Sequence, residues 1–303
     1  MINSFARGDM LQVLAFSVFF GLGLSRVGAK GMTIVKVMDE IAHALFRIVG
    51  MVMTYAPIGV FGAMAFTVGR FGLGTLVSLG QLMVALCITC LLFVFFVLGG
   101  IMRMCGLSLW KYLRYMKEEI LIVFGTSTTE PVLPRMLAKL ENMGCSQAVT
   151  GFVVPAGYSF NLDGVCIYLT LATVFIAQAT NTSLNIWDQL LLLGILMLTS
   201  KGTAAVSGGA FVTLAATLSS THFLPVSGLV LLVGIDRVLS ILRALTSIIG
   251  IGVGTIVIAK WDGALDMERA RQVLDGEVRI DLIQPEQFPA MEPSVAREPL
   301  TSP

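Results

Sequence analysis

Asp163 is a carboxylate isolated in an apolar stretch. It sits in Phe160-Asn161-Leu162-Asp163-Gly164, and no Lys, Arg, Asp or Glu occurs from Asn142 to Leu162 or from Gly164 to Trp187. A carboxylate at bilayer depth costs roughly 2.5–3.5 kcal/mol to insert, and such residues face cavities or ion paths rather than lipid. Asn161 adds an amide that both donates and accepts, and Gly164 loosens the helix beside it. The alternative is a surface Asp in a loop between two helices, for which the apolar flanks leave little room. A second group lies near the end of the chain. Asp236, Ser240, Arg243, Ser247 and Ile251 step by four, three, four and four, which places them on one helical face. Arg243 is a permanent cation with a fork suited to a carboxylate. It can hold a substrate carboxylate, pair internally with Asp236, or do each in turn. A third group is Gly125-Thr126-Ser127-Thr128-Thr129-Glu130-Pro131. Thr128 and Thr129 supply hydroxyls and, at a helix start, free N–H groups suited to an anion; a solvated turn is the alternative. Glu130 is either a proton carrier or an ion-pair partner of Lys201 or Arg135. A fourth group is Ser200-Lys201-Gly202-Thr203-Ala204-Ala205-Val206-Ser207-Gly208-Gly209.

The elements that must position these groups are membrane helices. The chain has 303 residues, of which 56% are hydrophobic and 13% charged. Its mean hydropathy is +0.86, whereas soluble domains carry about 25% charge. Barrel-type alternation is absent, so the spans are helical. The net charge of +1 and the lack of a basic patch with interleaved aromatics give no support to nucleic-acid binding. Cys87 and Cys90 form a CxxC, which reads as helix packing. The two histidines, His43 and His222, have no partner at metal spacing, and no nucleophile–base pair stands out, which argues against an enzyme.

Met10 to Ser25 reads as one short span and Arg26 to Arg47 as an amphipathic segment. Ile48 to Gly69 reads as a full span with a kink at Pro57, and Phe71 to Met102 as a long, tilted or overhanging one. The segments near 115–142 and 188–223 each read as two short apolar arms around a polar break. Thr150 to Asn181 is a span interrupted at Asn161–Gly164, Leu224 to Ala259 a last long span, and 262–303 a polar, peripheral or disordered tail. Lys and Arg cluster at 26–47, 103–117, 135–139 and 260–271, which the positive-inside rule puts in the cytoplasm together with the C-terminus. That orientation requires two re-entrant hairpins from opposite faces whose tips meet at the interrupted span, as at a transporter's midplane site.

Leu133-Pro134 after the Ser/Thr tip, Gly157-Tyr158-Ser159-Phe160-Asn161-Leu162-Asp163-Gly164, Phe175-Ile176-Ala177-Gln178-Ala179-Thr180-Asn181, Ser200-Lys201-Gly202 and Gly234-Ile235-Asp236-Arg237 resemble the dicarboxylate/amino acid:cation symporter family, and within it the bacterial C4-dicarboxylate branch. The resemblance runs from about Phe5 to Trp261. It implies an all-α, glutamate-transporter-like membrane fold and a homotrimer in the bacterial inner membrane. Residues 1–70 correspond to scaffold and 71–261 to a transport domain that moves as an elevator. The implied activity is proton- or sodium-coupled symport of C4-dicarboxylates such as succinate, fumarate and malate, with no cofactor beyond the coupling cation. The implied substrate contacts are Thr128, Thr129, Val165, Gly202, Thr203, Ser207, Gly208, Ser240, Arg243 and Ser247. Asn161 and Asp163 fall at the coupling cation, and Glu130 and Asp236 support the site or carry protons. Ser240 stands where amino-acid carriers have an Asp for the substrate ammonium. Without that carboxylate an ammonium beside Arg243 has no counter-ion, which favours a dicarboxylate over an acidic amino acid. The chain departs from the family pattern at Val165 (usually Thr), Ser247 (usually Asn), Ile251 (usually Asn or Asp) and Pro131 (usually Ser). Nothing matches the family's first three spans, so a truncated, non-transporting copy or a partner of a full-length carrier is the alternative expectation.

Overall fold

The computed structural model describes residues 10–72, 74–160, 162–203, 208–221 and 224–276. Two expected site residues, Asn161 and Ser207, lie outside the described residues, as do His222 and the chain beyond 276. Every described element is helical. In chain order they are α1 (Met10–Val27), α2 (Met32–Thr54), α3 (Ala56–Phe71) and α4 (Gly74–Leu92), which continues through a π-helical turn (Phe93–Leu98) into α5 (Gly99–Met104). Next come α6 (Leu109–Tyr115), α7 (Lys117–Thr126), α8 (Leu133–Asn142), α9 (Gln147–Phe160), α10 (Asp163–Ala179), α11 (Ile186–Thr199) and α12 (Gly209–Thr221). The last three are α13 (Val230–Val233), α14 (Asp236–Trp261) and α15 (Met267–Asp275).

Among the described residues three helical runs are long and apolar enough to cross a membrane: Gly74–Met104, Gln147–Ala179 and Asp236–Trp261. The second is interrupted between Phe160 and Asp163, where Leu162 adopts non-helical torsions (φ −93°, ψ 79°). By contrast, α7 and α8 have ten residues each, about 15 Å apiece and half of a bilayer core. They are joined through Ser127 in the left-handed region (φ 60°) and a 3-10 turn, Glu130–Val132. The 14-residue α11 and 13-residue α12 form a similar short pair. Both pairs fall where the sequence predicts broken hairpins.

Helix α14 is the hub. It packs most extensively on α9 and α10, then on α7 and α4. One apolar cluster joins α5–α9, α14 and α15 around Met102, Met136, Leu140, Val154 and Val253. A second joins α4, α10, α12 and α13 around Leu86, Leu169, Ile176, Leu214 and Leu232. The helices α1–α3 instead leave large side chains such as Phe19 (73%), Ile58 (73%) and Phe61 (78%) exposed. Apolar surface on that scale belongs against lipid or another chain.

Three expectations need correction. Pro57 does not kink a continuous span: α2 ends at Thr54, and Pro57 lies in the first turn of α3, where its missing N–H costs nothing. The last span is not continuous either. It breaks at Gly234–Ile235, between α13 and α14, where Gly234 packs so closely on the Met64 side chain that a Cβ would overlap it. Finally, the segment after Trp261 begins as docked structure. In α15, capped by Asp266 (3.1 and 3.0 Å to the Glu268 and Arg269 N–H groups), Ala270 and Val273 are buried. Arg269 Nε donates to the Asn142 carbonyl at 2.7 Å, and the Asp266 N–H to the Gly144 carbonyl at 2.9 Å.

Candidate functional site

Asp163 opens α10, so its carboxylate sits at a helix N-terminus, where the macrodipole favours negative charge. The neighbouring N–H of Gly164 donates to Ser247 Oγ at 3.2 Å, and a Cβ on Gly164 would overlap the carbonyl of Arg243. One turn further along α14, Gly250 leaves room for Asp163 Oδ2, which any side chain there would strike. The interrupted span is therefore pressed, backbone to backbone, onto the predicted face of α14. The absence of side chains at Gly164 and Gly250 makes that approach possible.

Arg243 is 4% exposed and fully engaged. Its Nη1 donates to Asp236 Oδ1 at 3.0 Å and its Nη2 to Ser240 Oγ. The guanidinium lies 4.1 Å from the centre of the Tyr168 ring, a cation–π stack. The internal pair with Asp236 is thus formed. Sequence reasoning missed Tyr168; the available signal was a phenol in an uncharged span, five residues after Asp163. Tyr168 Oη, like Ser127 Oγ and Thr129 Oγ1, is buried without a hydrogen-bond partner among the described residues. Buried polar atoms are nearly always satisfied, so each of these hydroxyls, and that of Tyr112, is left able to take a polar partner.

The turn of the second short helix pair contacts the helix that follows the interruption. Glu130 lies within electrostatic reach of Tyr158, just before the break. Ser200 Oγ is 3.3 Å from Cys166 Sγ, just after it. Thr203 is buried and donates to Thr213 Oγ1 at 3.0 Å. Gly202 is exposed, and Gly208 adopts φ +83°, which favours glycine. Thr128 is half-buried, its N–H 3.4 Å from Thr126 Oγ1. Val165 is buried in the second apolar cluster beside Leu162 and Tyr168, and Ile251 packs towards Gly157 of α9.

Of the two alternatives for Glu130, the ion pair with Lys201 or Arg135 is not formed among the described residues. Arg135 instead bridges Glu118 (2.8 Å) and Glu119 (3.2 Å), and Lys139 Nζ holds Glu119 at 2.6 Å. Glu119 is fully buried and Lys139 is 5% exposed. These bonds clamp the first turn of α7 to Arg135 and Lys139 along α8. Burial first, and then the Glu119 charge, push the Tyr115 hydroxyl well above its ordinary range. It therefore stays protonated and donates to the Lys139 carbonyl at 2.9 Å. Burial pushes the Cys145 thiol up to about 12. The five cysteines are free thiols, and no cluster of three or more His, Cys, Asp or Glu fit to hold a metal occurs among the described residues.

The chain is similar along nearly its whole length to bacterial proteins named for dicarboxylate transport. It is 54% identical over 94% of its length to "C4-dicarboxylate transport protein" of Geobacter sp. (strain M21), covering 67% of that protein. It is 54% identical over 92% to the protein of that name in Citrifermentans bemidjiense (63% covered), and 56% identical over 91% to "C4-dicarboxylate transport protein 2" of Polaromonas naphthalenivorans (61% covered). The chain thus spans about two thirds of the length of these relatives. A broken span pressed onto a buried arginine face agrees with the family match covering residues 1–261: the chain belongs to the sodium:dicarboxylate symporter family, whose members are transporters and not enzymes.

Proposed function

We propose that this chain carries C4-dicarboxylates across the inner membrane of a bacterium, coupled to sodium or protons. The observation that carries this reading is the state of Arg243. Asp236 holds one edge of its fork, while only the Ser240 hydroxyl occupies the other. A substrate carboxylate displaces the hydroxyl more readily than the carboxylate, because a charge-assisted bond outweighs a neutral one. The substrate thus enters on the Nη2 edge, with Asp236 orienting the arginine throughout. The far carboxylate faces the tips, where Thr129 and Ser127 offer unpartnered hydroxyls and the start of α12 offers N–H groups. Asp163 supplies the negative charge for the cation, with Asn161 as its partner. The relatives' names support the dicarboxylate, and the family's name the sodium. The short helix pairs fit re-entrant hairpins moving with α9, α10 and α14 as one body. The exposed α1–α3 faces fit a trimeric scaffold.

The test is uptake of labelled succinate by cells that lack their own carriers and express this chain. Uptake above background that collapses with the sodium or proton gradient, and is lost in Arg243→Ala, is expected. Undiminished uptake by Arg243→Ala would refute the assigned role. Aspartate competing as well as succinate would move the substrate to acidic amino acids.

A further inference from the structure

The strongest unassigned feature is a cavity of about 850 Å³ at the end of the Gly74–Met104 run, far along the chain from the Asp163–Arg243 site. Arg103 lies on one wall and Arg271, from α15, on another. Neither forms an ion pair among the described residues. Lys111 and Asp275, also in the wall, neutralise each other. The cavity therefore carries two uncompensated positive charges. The C-terminal carbonyls of the helix run would oppose an anion here, but Lys260 Nζ already binds the carbonyls of Cys105 (2.9 Å) and Met104 (3.4 Å).

The other side of the cavity is apolar. Phe95 and Phe96 line it and are exposed, as is Trp110 at 70%. Phe95 also lines an adjoining cleft of about 310 Å³, almost wholly apolar, between α4 and α14. The 31-residue run is about 46 Å long against a hydrocarbon core of about 30 Å, so it tilts or reaches the headgroup layer. Arg103 stands about 10 Å beyond Phe96 along that axis. An aromatic wall beside two arginines matches the acyl chain and the charged headgroup of one lipid.

The geometry points to a binding site for one anionic phospholipid, its phosphate held by Arg103 and Arg271 and an acyl chain running over Phe95 towards the cleft. Because Arg271 belongs to α15, the lipid ties that helix to the α5–α6 corner. This inference does not depend on the transported substrate, so it stands or falls separately from the uptake experiment.

It is tested by native mass spectrometry of the full chain, released from bilayers of phosphatidylglycerol and phosphatidylcholine. One retained phosphatidylglycerol per chain is expected, with retention falling about fivefold for each arginine removed in Arg103→Gln and Arg271→Gln. It should persist in the Arg103→Lys/Arg271→Lys variant and in Arg26→Gln, which lies outside the cavity. Undiminished retention in both glutamine variants overturns the site. Equal retention of phosphatidylcholine makes it an apolar groove only. Displacement of the lipid by glycerol phosphate at equal concentration makes it a soluble-anion site, and either result overturns the proposal. If a glutamine variant fails to fold, the lysine variant carries the test: it keeps both charges, and loss of retention there refutes phosphate binding by charge.

Discussion

Arg243 and Lys139 are both buried cations, and they differ in how they are satisfied. Arg243 has Asp236, the Ser240 hydroxyl and the face of Tyr168. One of those partners is neutral and exchangeable, which suits a residue that must accept a ligand. Lys139 is sealed by Glu119, the Tyr115 carbonyl at 3.0 Å and the Tyr115 ring, which suits one that must never let go. Removing one partner of a buried pair leaves the other charge stranded. Glu119→Gln is therefore expected to destabilise the protein by about 3–5 kcal/mol, while Glu119→Leu with Lys139→Met costs less than either single change. Thermal unfolding in detergent measures both, and a neutral Glu119→Gln would remove the clamp from consideration. The Cys145 thiol, pushed up to about 12 by burial, is neutral at physiological pH. Maleimide labelling at that position should stay negligible in the folded protein at pH 7. Rapid labelling at pH 7 would mean the site opens.

Between elements, two glycines decide how the interrupted span meets α14. Gly164 touches the Arg243 backbone and Gly250 faces the Asp163 carboxylate. Gly164→Ala should cost about 3 kcal/mol or more, because backbone rather than a movable side chain stands in the way. Gly151, in the interior of α9, has open space around it. Gly151→Ala should be neutral or gain up to about 1 kcal/mol from helix propensity. Comparing the two melting temperatures separates a packing glycine from an incidental one, and equal effects would contradict the close approach. The helix pairs were readable from composition, since a polar Ser/Thr or Gly run between short apolar arms cannot continue a membrane helix. The close approach of Gly234 to Met64 was not readable, because Met64 lies far away in the chain.

For the whole molecule, α14 links two apolar clusters, and α15 closes one of them from outside. Ala270 is fully buried in that contact. Ala270→Glu should undock α15 and raise hydrogen exchange both along 267–275 and at the Asp266 amide, which bonds the Gly144 carbonyl. Unchanged exchange would mean that α15 is held by its polar bonds alone. Composition marks 262–303 as polar and predicts a tail, yet Ala270 and Val273, three apart, dock its first nine-residue helix together with the bonds of Asp266 and Arg269. That signal is too short to separate from chance without the surface that receives it.

The sequence by itself determined the helical membrane class, because its hydropathy permits nothing else. It also determined the position of the isolated Asp163 and the shared face of Asp236, Ser240, Arg243 and Ser247, since a helix's period is a local property. The tertiary structure alone decided which edge of Arg243 is already taken, that Tyr168 lies against it, and that Arg135 serves Glu118 and Glu119 rather than Glu130. Each of those contacts joins side chains from different turns or different helices. Spacing along α14 already permits the Asp236–Arg243 pair and leaves only its formation to the structure, whereas the Tyr168 and Arg135 contacts are set by packing between helices, which no spacing along the chain encodes.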